Sequence, residues 1–389
     1  MSDRAFLVRP LRFAAILGGA LLAGCASVVA PPPAPGPAAS APPPVAAAVE
    51  IRARSRWVPV PFTDLPGWDQ DRLEEALPAL RQGCTRPPPA WAALCRQLPA
   101  TPGNDNNGYG GASLRDWLQQ RLQAYRVEPL DGAPVEGLLT GYFEPQLDAS
   151  RRRSSAFNVP LYGPPADLAS RKPWWTRQQI DTLPAAQAAL RGREVAWVAS
   201  PLDALVLQIQ GSGRLLLRPG HAGGGEAQLV RVAYAGTNDQ PYKSVGRWLI
   251  DNGELKPGEA SWPAIRAWAE RNPKRVNELL WSNPRVVFFR EEPLPDPALG
   301  PRGAQGVPLT PGRSIAVDPQ SIPYGTPVWL VSTEPLSSTP LRRLVMAQDT
   351  GSAITGAVRA DYFWGWGATA EAQAGRMKQP LRMWVLWPR

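Results

Sequence analysis

Three short segments decide how this chain is read: Ala316-Val317-Asp318-Pro319, Ala347-Gln348-Asp349-Thr350-Gly351-Ser352-Ala353-Ile354 and Arg359-Ala360-Asp361-Tyr362-Phe363-Trp364-Gly365. Each sets one aspartate beside a short run of β-forming residues broken by glycine or proline. A single acid in such a place is ordinarily a cap or an Asx-turn, because its side chain bonds nearby backbone. Two of the three invite more. A glycine-rich connection can bring Asp349 and Asp361 to one rim, and Tyr362, Phe363 and Trp364 follow Asp361 directly. Desolvation by such rings raises a carboxyl pKa, as a general acid working near neutrality requires.

Working outward, strands are expected at 285–289, 314–317, 327–331, 341–347 and 383–386, and in the middle of the chain at 137–143, 194–199, 205–210, 214–218 and 229–234. Helices are expected at 244–251, ended by Gly253, in the Trp-rich stretch 261–270, and after Asn272-Pro273, an N-cap followed by the first helical residue. Nearer the N-terminus, Leu73, Ala76, Leu77 and Leu80 recur at helical spacing before Gly83, as do Leu114, Trp117, Leu118, Leu122 and Tyr125. The fold class expected is mainly β with flanking helices. No internal repeat is visible.

Composition narrows the chemistry. The 389 residues, 44% hydrophobic and 19% charged, are enough for two domains with their own cores. With 46 prolines and 35 glycines the chain is too rich in breakers for a helical bundle, and these residues lack the period of a collagen repeat. One histidine, His221, and three cysteines exclude a His-rich or four-cysteine zinc site and most Ser/His/Asp or Cys/His arrangements. His221 sits in the glycine-rich stretch 219–225, a hairpin tip in composition, and no Gly-Lys-Ser/Thr follows to make a phosphate loop. The aspartates lack metal-ligand spacing, so no metal and no cofactor is expected. Carboxylates, hydroxyls and amides are left to do the work.

Residues 1–24 read as an export signal: Arg4, Arg9 and Arg12 precede an apolar run from Phe13 to Leu22 that is too short to span a bilayer. Leu22-Ala23-Gly24-Cys25 resembles the bacterial lipobox, with Cys25 lipidated and first in the mature chain, and no Asp follows it to oppose outer-membrane delivery. The Pro/Ala-rich stretch 31–46 lacks too many amide hydrogens for helix or sheet and is expected to be an extended tether. The expected location is the periplasm, on a lipid anchor in the inner leaflet of the outer membrane. Cys84 and Cys95 remain as an even pair around Pro87-Pro88-Pro89 in an otherwise structureless loop; a disulfide is expected there, two buried thiols being the alternative. The formal charge of +9 falls to +7 when Arg4, Arg9, Arg12 and Asp3 leave with the signal. A mildly basic body suits an anionic polymer, but the scattered cations form no nucleic-acid stripe.

The three-aspartate pattern resembles the 3D domain, a double-psi β-barrel, and the middle of the chain resembles the insert domain of the membrane-bound lytic murein transglycosylase A family. The resemblance is carried by 137–145 (Gly-Leu-Leu-Thr-Gly-Tyr-Phe-Glu-Pro), Gln208-Ile209-Gln210-Gly211-Ser212-Gly213, Ala233-Tyr234-Ala235-Gly236-Thr237-Asn238, Tyr242-Lys243-Ser244-Val245-Gly246-Arg247 and Asn283-Pro284-Arg285-Val286-Val287-Phe288-Phe289, in that order. It implies a discontinuous barrel domain (51–135 and 290–389, with N-terminal helices) around an inserted mostly β domain (136–289), with a glycan groove between them.

The resemblance further implies a peptidoglycan lytic exotransglycosylase that cleaves the MurNAc-β-1,4-GlcNAc bond without water and leaves a 1,6-anhydromuramyl end; the residues themselves do not distinguish attack at strand ends from internal attack. Asp361 maps onto the catalytic acid, which then serves as base. The C6 hydroxyl of the same sugar is the nucleophile, so the second carboxyl of an ordinary glycosidase is not needed. Asp349 is assigned to orienting or tuning Asp361, and Asp318 to bracing a barrel loop. Thr140, Tyr142, Gln210, Gly211, Ser212 and Tyr234 are candidates for holding glycan, since hydroxyls and amides meet sugar oxygens while aromatic faces stack on sugar rings. Ser352 stands where the family commonly has a second glycine.

Two rival readings remain open from sequence. Asp349-Thr350-Gly351-Ser352 is also the active turn of aspartic proteases, but those need two copies, so a protease would have to be a dimer. A lipid-tethered, non-catalytic peptidoglycan-binding scaffold would keep the groove and dispense with Asp361.

Overall fold

The computed structural model describes residues 47–98, 113–133, 136–218, 226–294 and 296–389. The expected signal, Cys25, the tether and His221 lie outside them. Among the described residues no helix is long and apolar enough to cross a membrane.

The described residues form fifteen strands: β1 (Glu50–Ile51), β2 (Arg56–Val60), β3 (Leu122–Glu128), β4 (Gly137–Glu144), β5 (Gln146–Ser150), β6 (Val159–Tyr162), β7 (Glu194–Val198), β8 (Ser212–Leu217), β9 (Gln228–Thr237), β10 (Val287–Glu292), β11 (Ser314–Val317), β12 (Thr326–Thr333), β13 (Pro340–Asp349), β14 (Arg359–Trp366) and β15 (Lys378–Pro388). They form two sheets. The first runs β1-β2-β3-β15-β12-β13-β11-β14-β4, and β4 also pairs with β15, so six strands from β15 round to β4 close on themselves as a barrel. Closure removes the unpaired edges that an open sheet would present. The second sheet runs β10-β9-β8-β5-β7-β6.

The barrel interior is filled by alternate residues of its strands, among them Leu139, Ile315, Val317, Val328, Val345, Ala360 and Tyr362. Trp329, Trp384, Trp68, Trp91 and Trp117 pack with the N-terminal helical segments on its flank. The second sheet has its own core of Ala149, Val198, Leu215, Val232 and Phe289.

The sheets meet at Pro145, between β4 and β5. Glu144, fully buried, receives Arg214 Nε at 2.7 Å and Arg231 Nε at 2.6 Å from β8 and β9 of the second sheet. Both guanidiniums also donate to Leu299 O, and Arg214 Cζ lies over the ring of Trp366, 3.7 Å from its centroid. Burying charge is costly unless every donor is used, and here carbonyls and an aromatic face take up what the single carboxylate leaves over.

The resemblance counts segment 137–143 with the inserted domain; as β4 it pairs in parallel with β14 and antiparallel with β15 as a wall of the barrel. Its alternation fits either sheet, and only pairing with distant strands decides. Segment 205–210 is helical, part of Pro201–Gln210: Ser200 caps the amides of Leu202 and Asp203, Pro201 opens the first turn, and Gly211 closes it at φ +80°. An unbroken apolar run is ambiguous, and here the caps settle it. The helix expected through Tyr125 stops at Arg121, where β3 begins and pairs with β2 and β15. Finally, Cys84 and Cys95 do not lie in a structureless loop: they are bonded to each other, Cα atoms 5.2 Å apart, across the helices Leu77–Cys84 and Ala92–Arg96.

Candidate active site

The site lies on the outer wall of the barrel, where β4, β14, β11 and β13 run side by side. Since Ala360 and Tyr362 point inward, Arg359, Asp361 and Phe363 take the other face of β14. On β4, Leu139 points inward and Thr140 and Tyr142 outward by the same alternation. Asp361 is in register with Thr140 across the parallel β14/β4 pair, and Thr140 Oγ1 donates to Asp361 Oδ1 at 2.6 Å. Arg359 Nη2 donates in turn to Thr140 Oγ1 at 2.9 Å.

Asp349 ends β13 on the other side of β11. Its Oδ2 accepts from Tyr142 OH at 3.0 Å and its Oδ1 from Ala304 N at 2.9 Å. The Tyr142 ring leans on Phe363, centroids 5.2 Å apart. The two acids are thus tied to alternate residues of one strand, Asp361 to Thr140 and Asp349 to Tyr142. A close backbone fit holds that strand: a Cβ on Gly141 would stand 2.8 Å from both Ala374 Cα and Trp364 Nε1, so only glycine lets the helix Gly367–Ala374 sit against it.

The electrostatics follow from this packing. Burial pushes the Asp361 carboxyl up to about 6; the Thr140 hydroxyl and the Arg359 cation pull it down, and the neighbouring Asp349 carboxylate adds to the rise. Asp349 is also raised by burial, against the Thr350 and Ala304 amides and the Tyr142 hydroxyl. Tyr142 is held well above the phenolic range by burial and then by both aspartates, so it is a donor throughout. Of the aromatics expected to desolvate Asp361, Phe363 shares its face of the strand, while Tyr362 is turned into the barrel and donates to Gly312 O at 2.8 Å.

Asp318 sits apart from this pair. It is 4% exposed, Oδ1 accepts from Gln320 N at 2.9 Å, and Oδ2 accepts from Gly356 N at 2.8 Å, with Arg54 Nε at 3.5 Å. These bonds brace two loops. Ser352 follows Gly351 without a positive φ, so its side chain costs no backbone strain.

The remaining sugar-binding candidates lie at the junction and on the second sheet. Gln210 Oε1 accepts from Phe143 N at 3.2 Å, tying the helix Pro201–Gln210 to β4. Gly211 is that helix's C-cap, and Ser212 opens β8 opposite Ala233, one residue before Tyr234, which is 51% exposed. A cavity of about 230 Å³ runs from Thr140 and Gln210 to Tyr242, Trp262 and Met377. Of the expected contacts it takes in Thr140 and Gln210; Tyr142, Gly211, Ser212 and Tyr234 do not line it. Tyr242 and Trp262 were legible only as part of larger patterns, and Arg359 stood in a quoted motif without a role. The one signal for Arg359 is its spacing of two from Asp361, which puts both on one face of a strand.

Residues 138–290 match the MltA specific insert domain and residues 313–387 the 3D domain. Membrane-bound lytic murein transglycosylase A of Vibrio cholerae is 34% identical over 292 residues, 70% of this chain and 74% of that one. Among solved structures, the lytic transglycosylase LtgG of Burkholderia pseudomallei is 46% identical with a TM-score of 0.60, covering 86% of this chain and 95% of its own. The Escherichia coli MltA structure with bound chitohexaose is 28% identical with a TM-score of 0.61, covering 85% and 91%.

Proposed function

The chain belongs to the membrane-bound lytic murein transglycosylase A family, and from that membership we infer a mechanism in which one carboxyl group, Asp361, cleaves the MurNAc-β-1,4-GlcNAc bond of peptidoglycan. The observation that carries this reading is a carboxyl displaced to about 6, on the outer wall of the barrel, beside a second acid held by donors alone.

Protonated Asp361 gives its proton to the glycosidic oxygen as the bond to C1 of the muramyl sugar breaks. Positive charge develops at C1 and the ring oxygen. The C6 hydroxyl of the same sugar then attacks C1, and its proton passes to the Asp361 carboxylate, restoring the acid. No water is consumed, and the product carries a 1,6-anhydro bridge. A group with pKa near 6 is protonated often enough to donate and ionised easily enough to accept. Because the nucleophile belongs to the substrate, its attack is intramolecular, so a second catalytic carboxyl is unnecessary.

Asp349 accepts from two backbone amides and the Tyr142 hydroxyl, which is the environment of an ionised carboxylate. Its negative charge keeps the Asp361 proton in place and favours the cationic transition state. The cavity beside Thr140 and Gln210, with Tyr242 and Trp262 on its walls, is assigned to glycan on one side of the scissile bond. We further propose lipidation at Cys25 and attachment to the outer membrane, on the lipobox-like sequence and the tether behind it.

Purified protein incubated with sacculi should release muropeptides ending in 1,6-anhydromuramic acid, read by mass spectrometry. Products heavier by one water, or a D361N variant that still digests murein, would overturn the mechanism.

A further inference from the structure

We propose that Arg359 is a positioning residue that selects which oxygen of Asp361 carries the transferable proton, acting through the Thr140 hydroxyl. The proposal rests on the reading of Asp361 as the acid and deepens it.

The argument is one of donors and acceptors. A guanidinium can only donate, so the 2.9 Å contact from Arg359 Nη2 makes Thr140 Oγ1 an acceptor on that side. Threonine has a single hydroxyl proton, and the other close partner of Oγ1 is Asp361 Oδ1 at 2.6 Å. The proton therefore points to Oδ1, and Oδ1 is fixed as an acceptor whether Asp361 is ionised or not. When Asp361 takes up a proton it goes to Oδ2, which has no hydrogen-bond partner among the described residues. Without the guanidinium, Thr140 could turn its proton away and accept from a protonated Oδ1. The acid would then spend its proton on Thr140 rather than on the glycosidic oxygen.

Arg359 is built for a fixed post. Its Nη1 donates to Ala360 O and, at 3.4 Å, to Leu138 O, so the fork straddles the β14/β4 pair that also aligns Thr140 with Asp361. Among the described residues it forms no salt bridge with a carboxylate, and burial lowers its pKa while the Asp361 charge supports it. A cation held there without an ion-pair partner is costly unless another function keeps it. The charged or titratable groups around Asp361 are Arg359 on its own strand, Tyr142 on β4 and Asp349 on β13. Lys378 on β15 is in register with Thr140 and exposed.

The test is the pH profile of kcat and kcat/KM for muropeptide release in the full chain and in R359M, R359K, T140V, T140S and R359M/T140V. The expected results are a fall in kcat of roughly ten- to a hundredfold in R359M, the scale of a misplaced catalytic group, with KM within about twofold. The alkaline limb should move to higher pH, since the cation that favours the carboxylate is gone. R359K should restore the limb but not the full kcat, and T140S should behave as wild type. In the double variant, kcat should be no lower than in T140V, because the arginine acts through the threonine. Losses that multiply in the double variant, or an unmoved limb in R359M with kcat intact, would overturn the proposal. D361N separates the two levels: if it is inactive while R359M behaves as wild type, only the role of Arg359 falls. If D361N is active, the reading beneath it falls.

Discussion

Asp349 and Asp361 stand level with each other across one residue: Ala316 of β11 is in register with Asp361 on its antiparallel neighbour and with Asp349 on its parallel one. Two acids so placed cannot ionise independently, and their surroundings divide the roles. Asp349 has donors on both oxygens, whereas Asp361 has one threonine and an arginine that reaches it mainly through that threonine. The last proton is therefore held by Asp361.

Replacing Asp349 by Asn removes the negative charge that helps to raise Asp361. The Asp361 pKa then drops, and the alkaline limb of kcat/KM moves to lower pH. At pH 7 the variant should be slower by roughly tenfold or more, because less acid is protonated and the developing cation loses a partner. A pH profile on a soluble glycan substrate checks this. A limb that stays in place would remove Asp349 from the tuning of Asp361.

What the sequence made legible follows from what is local. The aspartates, their turns and the aromatic run after Asp361 are local, and so are the ends of the helix Pro201–Gln210, where Ser200-Pro201 and Gly211 were visible even though the apolar run between them reads equally as a strand. The pairing that makes the site is not local. Thr140 and Asp361 lie 221 positions apart, and only the closed barrel brings β4 beside β14. Period-two alternation assigns faces to a strand but names no neighbour, so it puts Thr140 and Tyr142 on one face of β4 and leaves open which strands lie beside them.

The Asp361 carboxyl also sets a pH dependence of stability. Its folded pKa, about 6, lies above the ordinary carboxylate range, so the unfolded chain gives up this proton first as pH rises. The stabilisation due to the proton is complete below about pH 4 and is lost as pH rises through 6. An Asn at 361 ionises in neither state. D361N should therefore be more stable than wild type by about 1–2 kcal/mol at pH 7, discounted because the group is partly exposed, and equal to it near pH 3.5. Urea unfolding at both pH values measures the difference; a variant less stable at pH 7 would mean that the carboxylate is better solvated than its burial implies.

The Cys84–Cys95 bond closes a short loop between two helices that pack on the flank of the barrel, and neither cysteine bonds to Asp349 or Asp361. Replacing both cysteines by serine should cost about 2–3 kcal/mol, the scale of a cross-link over a loop of this length. The rate per folded molecule should not change. Thermal unfolding and the specific activity of the soluble fraction check the two halves separately. Lost activity at wild-type stability would connect this region to the glycan groove.

Glu144 is the acid on which the two sheets depend, and it lies on the same face of β4 as Tyr142 and Thr140. Glu144→Gln leaves Arg214 and Arg231 buried with a neutral partner where each had a carboxylate at 2.6–2.7 Å. Breaking a buried pair from one side costs about 3–5 kcal/mol, since the stranded charge is paid for in full. Glu144→Asp keeps the charge but shortens the reach, so it should retain most of the stability while shifting the second sheet relative to the barrel. Because Gln210 also joins β4 to that sheet's side of the junction through Phe143 N, the shift should reach the cavity before it reaches Asp361. The expected kinetic signature of E144D is thus a raised KM with the alkaline limb unmoved. A displaced limb with KM unchanged would mean that the buried triad acts on the acid itself rather than on how the two halves of the groove are held together.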